Sequence, residues 1–307
     1  MILVSTWREG VFALDGADRR HELAGRSVRG LTAHGVGGAL AIVNGHSLRS
    51  RSPGGQWVTL AEADCALACA VTRNGVVHVG TDDARILRLV GSRFEELEAF
   101  RRVAGRETWA SGQALIDGKL LGPPLGVRSM SATAGGTLLA NVHVGGIPRS
   151  TDGGKSFHPT IAIESDVHEV LAHPTRPEIA VAAAAVGLCT SRDGGLTWGT
   201  QAEGLHASYC AAVAFSGHDV LVSASDGHFA DQGRLYRRHV DSDGPLTAVA
   251  GLPEWTEGIV DTHGIAARGE RVAFADRGGN AYASDDGGAS WSRQAESLPA
   301  PSGVLIR

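Results

Sequence analysis

Two short segments, Asp166-Val167-His168 and Asp261-Thr262-His263, repeat one arrangement 95 residues apart, an acid two positions before a histidine. On extended backbone, residues i and i+2 point to the same side, so each carboxylate can orient its imidazole or join it as a metal ligand. More groups of the same chemistry lie between and around them. His143 sits in "NVHVGG", His206 and Tyr209 in "LHASYC", Asp226 and His228 in "SASDGHFADQG", and Asp276 with Arg277 in "ADRGGN". Imidazoles, carboxylates and a thiol suit one divalent first-row transition-metal ion. His143, His168 and His263, with Cys210, Asp166 or Asp261 nearby, would supply three ligands and leave a position open. Without a metal, His168 or His263 held by its Asp, with Tyr209 alongside, would act as a general acid or base. A third reading is a solvated polar rim whose histidines bond to backbone.

Such residues must be carried by a scaffold, and internal repetition reveals it. "STDGGKSF" (150–157), "SRDGGLTW" (191–198) and "SDDGGASW" (284–291) are spaced by 41 and 93 residues, the larger gap holding the degenerate copy "LYRRHVDSDGPL". Upstream, "LRSRSPGGQW" keeps the Gly-Gly and Trp, while "ILRLVGSRFEEL" and "VFALDGADRRHEL" keep only a hairpin shape. Each unit carries a short apolar strand before its hairpin: "VRGLTA", "DCALACAV", "VRSMSA", "VHEVLA", "YCAAVA" and "THGIAA", with "SGVLI" at the C-terminus. Seven units of about 40 residues with Gly-rich turns predict an all-β, seven-bladed propeller of four-stranded blades. The first unit lacks an inner strand, so the C-terminal strand is expected to close the ring against the N-terminal blade. The whole chain, 1–307, reads as one domain.

The pattern Ser-x-Asp-x-Gly-x-Thr/Ser-Trp/Phe resembles the Asp-box of the BNR-repeat propellers, a sialidase-like superfamily with many bacterial members. The resemblance implies that Asp152, Asp193 and Asp286 are structural turn residues, with Phe157, Trp198 and Trp291 as wedges, and that the active face is the opposite rim. Aligning the inner strands puts Arg29, Cys65, Arg128, His168, Cys210, His263 and Gly303 in a ring at that rim. Under it lies an apolar layer of Leu31, Leu67, Met130, Val170, Ala212, Ile265 and Leu305. Arg29, Cys65, Arg128, His206 and His228 are candidate ligand-binding residues. Trp7, Trp109 and Trp255 offer planar faces for a ligand. The segment 100–126 exceeds the repeat length and is expected to form a hairpin cover over the mouth, with "IDGK" as its turn.

Sialidase chemistry would require an arginine triad, a tyrosine backed by a glutamate, and an acid; the superfamily's Arg-Ile-Pro motif is missing, although Arg29, Arg128 and Arg277 could stand as a triad. An ordinary glycosidase would use two facing carboxylates, Asp166 and Asp261. The expected function is a small-molecule enzyme with a His/Asp site, with a metal-free hydrolase or lyase, a sialidase-like hydrolase and a non-catalytic interaction scaffold as alternatives.

Composition narrows the partners. With 28 Lys and Arg against 33 Asp and Glu, a net charge of −5 and no basic run, neither nucleic acid nor a membrane surface is an expected partner. The N-terminus reads as a strand, not a secretory leader, and the four cysteines are too few for a disulfide framework, so a cytoplasmic setting is expected.

Overall fold

The computed structural model describes residues 1–16, 18–110 and 125–307 in full and, between the last two ranges, the backbone strands Ala114–Ile116 and Lys119–Leu121. Seven antiparallel sheets form a closed ring. Blade 1 orders Asp18–Glu22, Val11–Asp15, Ile2–Thr6 and, innermost, Pro301–Ile306. Blades 2 to 7 start on the inner strands Val28–His34, Leu67–Arg73, Val127–Ala132, Val167–Ala172, Tyr209–Ser216 and Ile265–Arg268, each followed outward by its next strands in chain order. Neighbouring inner strands pack side by side around the whole circle, the last against the first. Among the described residues the only helical segments are three 3₁₀ turns, and no helix is long and apolar enough to cross a membrane.

The second strand of each blade is largely buried and mostly apolar, wholly so in "GALAIV" and "AVAAA". Small side chains let adjacent sheets approach, and the core accordingly divides into clusters lying between blades. The ring closes as the sequence requires: Ile2 pairs with Ile306, Leu3 with Leu305 and Val4 with Val304. This removes the exposed edge that the N-terminal strands would otherwise present.

The three Ser-x-Asp-Gly-Gly turns share one geometry. In "SRDGGLTW" the Asp193 carboxylate accepts the N–H groups of Leu196 at 3.0 Å and Thr197 at 2.9 Å and the hydroxyls of Ser191 and Thr197. Asp152 and Asp286 repeat these contacts. Gly194 and Gly195 have φ of 70° and 83°, a region closed to most side chains. Phe157 is buried between blades, and the Trp198 and Trp291 rings pack against neighbouring core clusters. Burial alone would raise the Asp193 pKa; the hydrogen bonds from Thr197 and Ser191 outweigh it and pull it down to about 2. Asp193→Ala is therefore expected to cost about 1–2 kcal/mol, the range for losing a side chain that satisfies turn donors. A depressed folded pKa stabilises above the unfolded value, near 3.9, and the benefit fades as pH falls toward 2. Thermal unfolding of wild type and variant should converge in acid; a difference independent of pH would contradict this.

Candidate functional site

The rim opposite these turns carries a compact trio. His143 follows the second strand of blade 4, its N–H bonded to the Gly126 carbonyl at 3.3 Å. Asp166 follows the 3₁₀ turn Ile163–Ser165 in a left-handed conformation, φ 47°, with its carboxylate beside both histidines. His168 is the second residue of the inner strand of blade 5 and is almost wholly buried. His143 Nε2 lies 3.3 Å from Asp166 Oδ1, and His168 Nε2 lies 3.7 Å from Asp166 Oδ2. The ligand-type atoms of all three lie within 4.8 Å of one another, so the group could hold a metal ion.

The protonation states suit that use. His168 Nδ1 donates to the Cys210 carbonyl at 2.6 Å, which leaves Nε2, the nitrogen facing the trio, as the basic one. Among the described residues neither His168 Nε2 nor Asp166 Oδ1 has a hydrogen-bond partner, although both atoms are buried. Burial and the Arg128 cation push His143 down to about 4, so its imidazole is neutral at pH 7. Burial opposes ionisation of Asp166, but the neighbouring His168, His143 and Arg128 groups hold its carboxyl below the usual range. Tyr209, first in the inner strand of blade 6, lays its ring 4.4 Å from that of His168, and burial pushes its phenol above the ordinary value.

Beside the trio opens a cavity of about 390 Å³ lined by residues that include Trp7, Arg29, Arg128, His228, Asp261 and Arg277. Arg29 pairs with Asp82 at 2.7 Å, and Arg277 with Asp261 at 3.3 Å while donating to the His228 carbonyl at 2.6 Å. Burial works against the Asp261 carboxylate, but His228, the Thr262 N–H and Arg277 keep its pKa low. Asp276 is tied into its own turn by the N–H groups of Glu257 and Asn280.

His263 does not join the trio. Its ring spans the channel, with Nδ1 3.0 Å from Glu169 Oε1 and Nε2 3.3 Å from the Arg128 carbonyl. Both nitrogens have partners, as an imidazolium requires. Burial disfavours that cation, yet the charge and hydrogen bond of Glu169 outweigh it and raise the His263 pKa. Glu169 also accepts the N–H groups of Val213 and His263, each at 3.2 Å. His263 thereby links blades 4, 5 and 7 across the axis and separates the rim cavity from a second one of about 250 Å³ on the Asp-turn side. The expected orientation of His263 by Asp261 is replaced by one from Glu169, a residue the sequence reading passed over.

Six other expected rim residues lie elsewhere. Cys210 points between blades into a core cluster, and burial pushes its thiol up to about 12, so only its carbonyl serves the site. Cys65 precedes its strand and packs against core beside Leu60 and Leu89, while Ala68 takes the rim position assigned to it. Ala70 and Val213 likewise replace Leu67 and Ala212 in the layer below. Trp109 is buried against Phe100, with the Arg106 guanidinium 4.8 Å from its ring, and anchors the 3₁₀ turns of the insertion. Trp255 packs on His206, whose Nδ1 lies 2.8 Å from the Tyr236 hydroxyl; neither lines the cavity. Asp226 is exposed. Within the insertion Ala114–Ile116 pairs with Lys119–Leu121, as a hairpin must, but the turn residues 117–118 and their neighbours 111–113 and 122–124 lie outside the described residues.

Neither protein-family models nor curated proteins match the chain. Solved structures do, at low identity. An ancestral GH74 enzyme superposes with a TM-score of 0.65 at 11% identity over 97% of this chain and 40% of that one. The GH74 xyloglucanase from Xanthomonas campestris gives 0.55 at 18% identity, covering 87% and 45%. Virginiamycin B lyase from Staphylococcus aureus gives 0.58 at 13% identity, covering 89% and 84%. The chain thus spans less than half of each GH74 protein and most of the lyase, and at these identities the likeness establishes the propeller fold alone.

Proposed function

We propose that this propeller is a metal-dependent hydrolase or lyase of a small molecule, with one divalent transition-metal ion held by His143, Asp166 and His168 and the substrate seated in the neighbouring cavity. The observation that carries the reading is the pair of buried, unpartnered atoms, His168 Nε2 and Asp166 Oδ1, set beside His143 Nε2. Buried polar atoms are nearly always hydrogen-bonded, so two such atoms without a hydrogen bond on neighbouring ligand-type side chains are what a cation would complete. A bound ion would supply Lewis acidity next to the cavity. The protein's own part is to fix the His168 tautomer through Cys210, keep His143 neutral and keep Asp166 charged. The three matching Asp turns favour membership of the Asp-box superfamily. Its glycosidase chemistry is disfavoured at Asp166 and Asp261, because a glycosidase acid needs a raised pKa and both are held low, while Asp276, whose pKa burial raises, is tied to the Glu257 and Asn280 N–H groups.

The test is elemental analysis by inductively coupled plasma mass spectrometry on untagged protein, before and after reconstitution with zinc, manganese, cobalt and nickel salts. Wild type should carry about one equivalent of one metal, and Asp166→Asn and His168→Ala should lose it. Cys210→Ser should retain it, because that side chain faces core. No metal in reconstituted wild type, or full occupancy in both site variants, would sink the reading.

A further inference from the structure

The rim cavity has one cation left over. Of its carboxylates, Asp82 is paired with Arg29, Asp261 with Arg277, and Asp276 with backbone N–H groups. Arg128 lines the same cavity from the inner strand of blade 4, and among the described residues its guanidinium has no hydrogen-bond or ion-pair partner. It is half-buried, so bulk water does not surround it freely. A partly desolvated guanidinium with no acceptor at hydrogen-bond distance is unfavourable, and its planar fork of donors matches a carboxylate or phosphoryl group. The adjoining wall is apolar or aromatic: Trp7, Ile259, Ala275, Ala300 and Pro301. Arg128 is also close enough to both halves of the site for its charge to act on His143 and Asp166 on one side and on Asp261 and His228 on the other.

We infer that Arg128 is the anion-recognition residue of this cavity, and that the ligand is a small organic anion with a carboxylate or phosphate on Arg128 and an apolar or planar body along the Trp7 wall. This deepens the proposed function by naming its substrate class, and it rests on the reading that the substrate occupies this cavity. Arg29 and Arg277 are already committed to carboxylates, so they shape the cavity while Arg128 supplies the free donors.

Titration calorimetry on the untagged protein with benzoate, phenyl phosphate and neutral benzyl alcohol tests it. At least one anion is expected to bind, with benzyl alcohol at least about tenfold weaker, and the better of the two anions identifies the head group. Arg128→Gln should weaken the anion by about 10- to 100-fold, the range for losing a charge-assisted hydrogen bond. Arg128→Lys should recover part of the loss, and it serves if the glutamine variant fails to fold. His143→Ala should lose metal yet keep anion affinity, so a failure of the metal reading is distinguishable from a failure here. No binding by either anion at millimolar concentration, equal affinity for benzyl alcohol, or undiminished anion affinity in a folded Arg128→Gln protein overturns the inference.

Discussion

A chain ending at residue 300 is expected to populate no native state at 25 °C, and addition of a synthetic peptide of residues 301–307 is expected to restore one. The inner strand of blade 1 comes entirely from Pro301–Ile306, and Val304 and Ile306 are buried in the cluster that joins blades 1 and 7. Leu305 packs into the neighbouring cluster. Ser302 bonds to the Val28 carbonyl in blade 2, and the Val304 N–H donates to the His263 carbonyl at 2.8 Å. Burying three such apolar side chains is worth about 1.5–3 kcal/mol each, before any hydrogen bond is counted. That sum rivals the ~5–15 kcal/mol by which whole domains are stable. Circular dichroism and thermal unfolding read the outcome. A cooperative transition in the truncated chain within a few degrees of wild type would show that six blades and an open seventh suffice.

The second large effect lies at the channel axis. His263→Ala strips the partner from Glu169, whose side chain is only 7% exposed and would keep just two N–H donors. Breaking a buried pair from one side costs about 3–5 kcal/mol, because the remaining charge is stranded. Glu169→Gln combined with His263→Ala should recover part of that cost, the sign of a coupled pair. The pH dependence follows from the raised His263 pKa. Its stabilising contribution is fully present below the unfolded value, near 6.5, and is lost as pH rises through the higher folded value. The gap in melting temperature between wild type and Glu169→Gln should therefore be widest in mild acid and shrink in alkali. A gap that widens with pH would contradict the imidazolium assignment.

The fold was legible because it repeats. Seven hairpins with an inner strand each, and an N-terminal unit lacking one, imply both the blade number and the closing strand. The rim was legible at Arg29, Arg128 and His168 and misread at Cys65 and Cys210. The inner strands of all five carry a register shift near the rim, between Arg29 and Thr32, Val127 and Ser129, Val167 and Glu169, Leu67 and Cys69, and Cys210 and Val213. Such a shift breaks the two-residue alternation that relates one strand to the next, so a strand aligned on the wrong side of it loses its rim residue, as Cys65 does to Ala68 three positions on. The same kind of shift between Val167 and Glu169 lets consecutive residues His168 and Glu169 both serve the channel, which simple alternation forbids. The signal for Glu169 was present as the single acid in the apolar strand "VHEVLA". His263 escaped a correct reading because its φ of 62° takes it off the extended path that relates Asp261 to its own histidine.

The left-handed backbone at Asp166 bears on how the chain can change over time. A non-glycine residue there carries of order 1 kcal/mol of strain that a glycine would not, and asparagine tolerates the conformation as aspartate does. Random substitution under selection for heat tolerance alone would favour Asp166→Gly, which relieves the backbone and deletes the carboxylate at once. The identity of this one residue thus becomes a marker among related chains. If the trio has the function proposed for it, aspartate retained with both histidines would mark a working site, while glycine beside the same two histidines would mark a propeller that kept its ring without that chemistry.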